Sequence, residues 1–143
     1  MAGFSLKITR NDISPQLTKL ANAAKNPEKV YRSMGTTFMA ITMGNFNDVG
    51  SDYRPAAWAN KKDGTPSKLQ KSGTLSRAFF LEVTSSSAKV SNPTIYAATH
   101  QFGRAEANIP PRPFFPVLNN QLTPKAETKI AAAGHRAIER QLE

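Results

Sequence analysis

At 143 residues the chain has the length of one ordinary domain, which buries roughly two-thirds of the surface its unfolded form exposes and needs no disulfide or metal to hold it. Cysteine is absent, which excludes disulfides, thiolate nucleophiles and cysteine-ligated zinc, and no apolar run approaches the ~18 residues of a membrane-crossing helix. Nineteen Lys and Arg against ten Asp and Glu leave a net charge of +9, which favours a polyanionic partner or acidic neighbours in an assembly.

The first ten residues carry no basic region followed by an apolar run, so a secretory signal is not expected and a soluble intracellular site is. Phe4, Leu6 and Ile8 alternate with Ser5, Lys7 and Thr9, which predicts a half-buried strand. Asn11 or Asp12 offers an N-cap oxygen, Pro15 suits a first turn, and Ile13, Leu17, Leu20, Ala21 and Ala24 form one helical stripe. Asn26-Pro27 interrupts that stripe, because the residue before a proline avoids the α region. A second helix is predicted from there, with Glu28 in its first turn and Val30, Met34, Phe38 or Thr37, Ile41 and Phe46 on its core side.

From Asn47 to Ser67 the periodicity gives way to turn formers, with Lys61-Lys62 at an exposed tip. Trp58, the one tryptophan, sits in this polar loop; burying its ring would pin the loop to the body, and a binding hot spot is the other reading. Lys71-Ser72-Gly73-Thr74, flanked by Leu69 and Leu75, suggests a short helix or turn leading to a strand. Phe79 to Thr84 and Ala88 to Ser91 read as two strands joined through Ser85-Ser86-Ser87 as a hairpin. Thr94 to Gln101 predicts two helical turns stopped by Gly103, followed by an exposed loop from Ala105 to Pro111. Pro110-Pro111-Arg112-Pro113 enforces extended backbone, and Phe114, Phe115, Val117 and Leu118 form a compact apolar cluster. A last helix opens at Thr123 or Pro124, with Ile130, Ala133 or Gly134, Ala137, Ile138 and Leu142 on its buried side. The whole is a single α+β domain: a small antiparallel sheet with a β-hairpin, packed against N-terminal helices and a long C-terminal helix.

The residues offer little chemistry. Asp63-Gly64-Thr65-Pro66-Ser67-Lys68 only looks like a phosphate loop, and Pro66 removes a donor that a phosphate cradle would use. His100 and His135 lie on different helices with no partner at metal-ligand spacing, and the carboxylates are scattered, so no metal, cofactor or catalytic group is expected. A hydrolase built on His100 would require Ser72 or an acid within hydrogen-bond reach of the imidazole. Between Arg54 and Arg104, eight cations face two anions, spread over loops rather than gathered in a tract. His100 reads as a structural residue hydrogen-bonded to backbone, with Phe102 packing and Gly103 ending the helix. Arg112, fixed between prolines, would anchor a carboxylate of its own chain or of a neighbouring subunit.

Three stretches, Leu69 to Leu75, Ile95 to Gly103 and Ile109 to Phe115, resemble in order and spacing a phage virion-morphogenesis or tail-completion family, which includes the G protein of bacteriophage Mu. The family pattern is a loop tryptophan, here Trp58; a Leu-x-x-Ser-Gly-x-Leu segment, here with Ser72 and Gly73; and a β-hairpin. A Tyr-Ala-x-x-His-Gln-Phe-Gly box follows, here Tyr96, His100, Gln101, Phe102 and Gly103, and then Pro-x-Arg-Pro-Phe, here Arg112, Pro113 and Phe114. The resemblance runs from about Asp48 to Leu142 and departs at Phe115, where many relatives carry a small or aliphatic residue, at Val90-Ser91-Asn92, where they carry a Val-Gly-Ser-type strand, and in the short loop between Gly103 and Pro110.

The resemblance implies a non-enzymatic structural protein of the virion, assembled in the host cytoplasm, which completes the tail or joins it to the head. It implies a neck ring of identical subunits, sixfold by analogy with a tail tube, with tail-tube and head-neck proteins as partners, DNA passing through and no membrane. On that reading Trp58, Phe102, Phe114 and Phe115 pack the loops onto the sheet, and His100, Gln101 and Arg112 fix those loops or bridge subunits. Lys61, Lys62, Lys68 and Lys71 then form a docking or channel face. The charge alone supports an alternative, a basic nucleic-acid-binding module acting on phage DNA.

Overall fold

The computed structural model describes residues 4–9, 22, 24–46, 53–64, 69, 74–118 and 121–142. Within them the order is β1 (Phe4–Thr9), α1 (Pro27–Gly44), α2 (Thr74–Arg77), β2 (Phe80–Val83), β3 (Ser87–Asn92), α3 (Ala97–Phe102), a 3-10 turn (Ala105–Ala107), β4 (Val117–Leu118), β5 (Gln121–Leu122) and α4 (Pro124–Leu142). The helix expected between Asn11 and Ala24 lies almost wholly outside the described residues.

α1 starts at Pro27, whose missing N–H costs nothing in a first turn, and ends where the Asn45 N–H reaches back to the Ile41 and Thr42 carbonyls. Val30, Tyr31, Met34, Gly35, Phe38, Ile41 and Thr42 are buried, more than one stripe, because α1 is covered on two sides. On one side lies the sheet, antiparallel throughout in the order β1-β3-β2, with Leu6 and Leu81 both in register with Val90. Gly35 permits the close approach, since a Cβ there would stand 2.7 Å from the Ala88 Cβ and 2.8 Å from Leu81 Cδ1. On the other side lies α4, burying Ala126, Ile130, Ala133, Gly134, Ala137 and Ile138. The small residues let the two helix axes come close.

β2 and β3 form the expected hairpin, closed by Thr84 N–H to the Ser87 carbonyl at 2.8 Å and crossed by an exposed Lys89–Glu82 pair at 3.4 Å. Where β3 ends, Asn92 donates Nδ2–H to the Leu75 carbonyl at 2.7 Å, while its Oδ1 accepts from the Thr94 N–H and hydroxyl.

Three expectations give way here. Val117–Leu118 pairs with Gln121–Leu122 as a second, two-stranded sheet, so Val117 still packs against the core while Leu118 is 55% exposed on the small hairpin. Leu142 is 81% exposed because α4 overruns its support: Gln141 already sits at the very start of α1, exchanging hydrogen bonds with the Asn26 main chain. The loop from Ala105 is exposed as expected, but a 3-10 turn and an Arg104–Ile109 bridge give it regular structure.

Candidate functional site

The Trp58 loop, the box on α3 and the proline-rich segment meet at one end of the core. Trp58 is 9% exposed, edge-on to Phe46 at 5.7 Å, and donates Nε1–H to the Pro113 carbonyl at 2.8 Å. The Arg54 guanidinium lies 3.7 Å over its ring and donates to the Asn45 carbonyl through both Nε and Nη2. The loop is therefore pinned by a buried indole, as expected, and not by a binding contact of the indole itself.

Gln101 is buried at the centre. Its Oε1 accepts from the Phe114 and Phe115 N–H groups, each at 3.0 Å, and its Nε2 lies 3.5 Å from the Phe115 carbonyl. A proline-rich approach leaves the following backbone without ladder partners, and this one amide supplies them. Phe114 and Phe115 are fully buried against Phe38, Phe46 and Phe79, with ring centroids 5.3 to 5.7 Å from those neighbours. Asn45 completes the arrangement by donating to the Phe114 carbonyl at 2.7 Å.

Among the described residues Arg112 pairs with no carboxylate of its own chain. Its Nε donates to the Ala59 carbonyl at 2.8 Å and its Nη2 to the Asn60 carbonyl at 3.0 Å, so the rigid guanidinium fork matches two successive loop carbonyls instead. Its own N–H donates to the His100 carbonyl at 2.8 Å. Arg112 thus ties the Lys61-Lys62 tip to α3 within one chain.

Phe102 does not join the core. It is 64% exposed, and the helix explains why: neighbours on a helix are about 100° apart, so turning Gln101 inward turns Phe102 out. Gly103 then ends the helix at φ +74 and ψ 176, as a glycine stop should.

His100 also departs from expectation. Its main-chain carbonyl is bonded, but the buried ring Nδ1 has no hydrogen-bond partner among the described residues; Tyr96 stands edge-on at 5.7 Å. Burial first, and the Arg112 charge second, hold its pKa below the ordinary histidine value of 6.5. Just below that value the unfolded chain binds more protons than the folded one, so stability is full above it and is lost as pH falls toward the folded pKa. Urea midpoints are expected to fall between about pH 7.5 and 5.5, and His100→Asn should flatten that fall. An unchanged slope in His100→Asn would assign the effect elsewhere.

These contacts shape an open groove of about 880 Å³ in which Lys61, Lys62, His100, Phe102, Gly103 and Arg112 come together. Ser72, Gly73, Lys68 and Lys71 lie outside the described residues. Among the described residues no three His, Asp or Glu stand where they could hold a metal, and His135 is exposed on α4. Asn45 and Arg54 are the residues sequence reasoning missed. Asn45 resembles an ordinary helix end, and only its burial beside Phe114 reveals the role.

The family model described as the phage virion morphogenesis family matches residues 8–138, nearly the whole chain, and begins well before the Asp48 limit set by the motifs. No match was found among curated proteins or solved structures.

Proposed function

The chain belongs to the phage virion morphogenesis family and so serves virion assembly; from that premise we propose that it is a structural part of the neck, completing the tail or joining it to the DNA-filled head. In this reading identical subunits form a ring, six to match a tail tube, in contact with tail-tube and head-neck proteins around the passing DNA. It resides in the virion after assembly in the host cytoplasm, and no reaction belongs to the role. Among the described residues no helix is long and apolar enough to cross a membrane.

The observation that carries the reading is Phe102, a large ring left 64% exposed on a groove whose walls are fixed by Gln101, Gly103 and Arg112. An exposed aromatic on rigid backbone, beside Ile109 and Pro110 and rimmed by Lys61 and Lys62, has the composition of a protein-docking patch. A subunit that presents such a patch and receives it elsewhere makes a head-to-tail contact, and such contacts make a ring when the rotation between subunits closes.

Phe102→Ser should leave the fold within about 0.5 kcal/mol of the parent, since the ring is mostly in solvent. It should abolish the ring-sized species in multi-angle light scattering and the completion of virions in a complementation assay. Normal particle yield from the Phe102→Ser chain would sink the docking role.

A further inference from the structure

A second groove lies on the opposite partnership, between α1 and α4. The helices run antiparallel there, their ends fastened by Gln141, whose Oε1 accepts from the Asn26 N–H at 2.7 Å and whose Nε2 donates to the Asn26 carbonyl at 2.9 Å. Residues three and four apart share a helix face, so Lys29 and Arg32 on α1 and Arg136 and Arg140 on α4 line the same trough, of about 550 Å³. No carboxylate lines it. Glu28 pairs with Arg32 at 3.1 Å from outside, with both side chains about half in water, a kind of pair that yields readily to a stronger anion. Lys29, Arg136 and Arg140 have no ion-pair partner among the described residues.

The rest of the lining distinguishes the ligand. It includes the hydroxyl-bearing Ser33, Thr36 and Thr37 and the methyls of Ala133 and Ala137. Hydroxyls among guanidinium and ammonium groups are the usual donors to phosphate oxygens. A protein segment would need an aromatic or large aliphatic anchor, and no such side chain lines this trough, in contrast to the Phe102 groove. We infer that the α1–α4 trough binds the phosphate backbone of duplex DNA, without reading its sequence. This inference stands on the trough's own chemistry and holds whether or not the subunits form a ring.

The test is fluorescence anisotropy of the full chain with two duplexes of unrelated sequence, titrated over a range of salt. Both duplexes should bind equally, with an affinity that falls steeply with salt. The Arg136→Gln/Arg140→Gln chain should bind roughly tenfold more weakly at low salt, and its log–log salt slope should shrink by about two, one for each lost phosphate contact. Lys29→Gln, on the other wall, should shrink it by about one. The substituted side chains at 136 and 140 are exposed, so an unchanged thermal midpoint and an unchanged light-scattering mass should accompany the loss. The inference is overturned if the parent does not bind duplex, if the slope survives both sets of substitutions, or if Lys61→Gln/Lys62→Gln takes the loss instead. Displacement of the duplex by an equal charge of polyglutamate would also overturn it, and would assign the trough to an acidic protein segment.

Discussion

Gln101→Leu should lower the unfolding free energy by about 3 kcal/mol or more, a large share of the 5–15 kcal/mol that holds a typical domain. Leucine fills a similar volume, so the loss does not come from a cavity. It comes from the Phe114 and Phe115 N–H groups, both of which donate to Gln101 Oε1 at 3.0 Å in a buried setting. Each buried donor left without an acceptor costs roughly 1–3 kcal/mol, and here one substitution strands two. The penalty falls where the aromatic cluster is anchored, so the melt should also lose near-ultraviolet dichroism early. Equilibrium urea unfolding decides the matter, and a loss below about 1 kcal/mol would mean that water reaches those two groups.

Gly103→Ala carries the second large penalty, for two reasons that can be separated. At φ +74 and ψ 176 the backbone occupies a region that side-chain-bearing residues hardly visit, at a cost of roughly 1–3 kcal/mol. The added methyl would also stand 2.7 Å from the Pro111 nitrogen and 2.9 Å from the Ile109 carbonyl oxygen, in backbone that prolines make stiff. Gly64 provides the comparison, with φ +86 and, among the described residues, nothing within 4 Å of an added Cβ. Gly64→Ala should therefore cost only the conformational part, about 1–2 kcal/mol, and Gly103→Ala distinctly more. Equal losses at the two positions would show that the Pro110–Pro111 segment moves aside freely.

Much of the fold was legible because its periodicities are local. The stripe from Val30 to Ile41, the strand pair around Ser85-Ser86 and the helix after Pro124 follow from spacing and from turn chemistry. The burial of Trp58 was legible too, since a lone indole in a polar loop has few stable alternatives to the core. Apolarity alone puts Phe102 inside, but helical phase does not: once the polar Gln101 is the inward residue, its neighbour must face out. Arg112 fixes the loop, but through partners that the sequence could not indicate. Its partners are main-chain carbonyls, which every residue carries, so no residue type in the sequence could point to Ala59 and Asn60. The α1–α4 trough was invisible for a related reason: its four cations come from two helices about a hundred residues apart, and only antiparallel packing brings them together.

The seat of Trp58 gives the chain an optical property of its own. It is the only indole in the sequence, it is shielded from water, and it sits where the loop bearing Lys61 and Lys62 meets the body. Its emission therefore reports a single event, the seating or release of that loop, undiluted by any second fluorophore of its kind. Any partner that lifts the loop during virion assembly exposes the indole and shifts its emission to longer wavelength, so that step could be followed in real time without attaching a label.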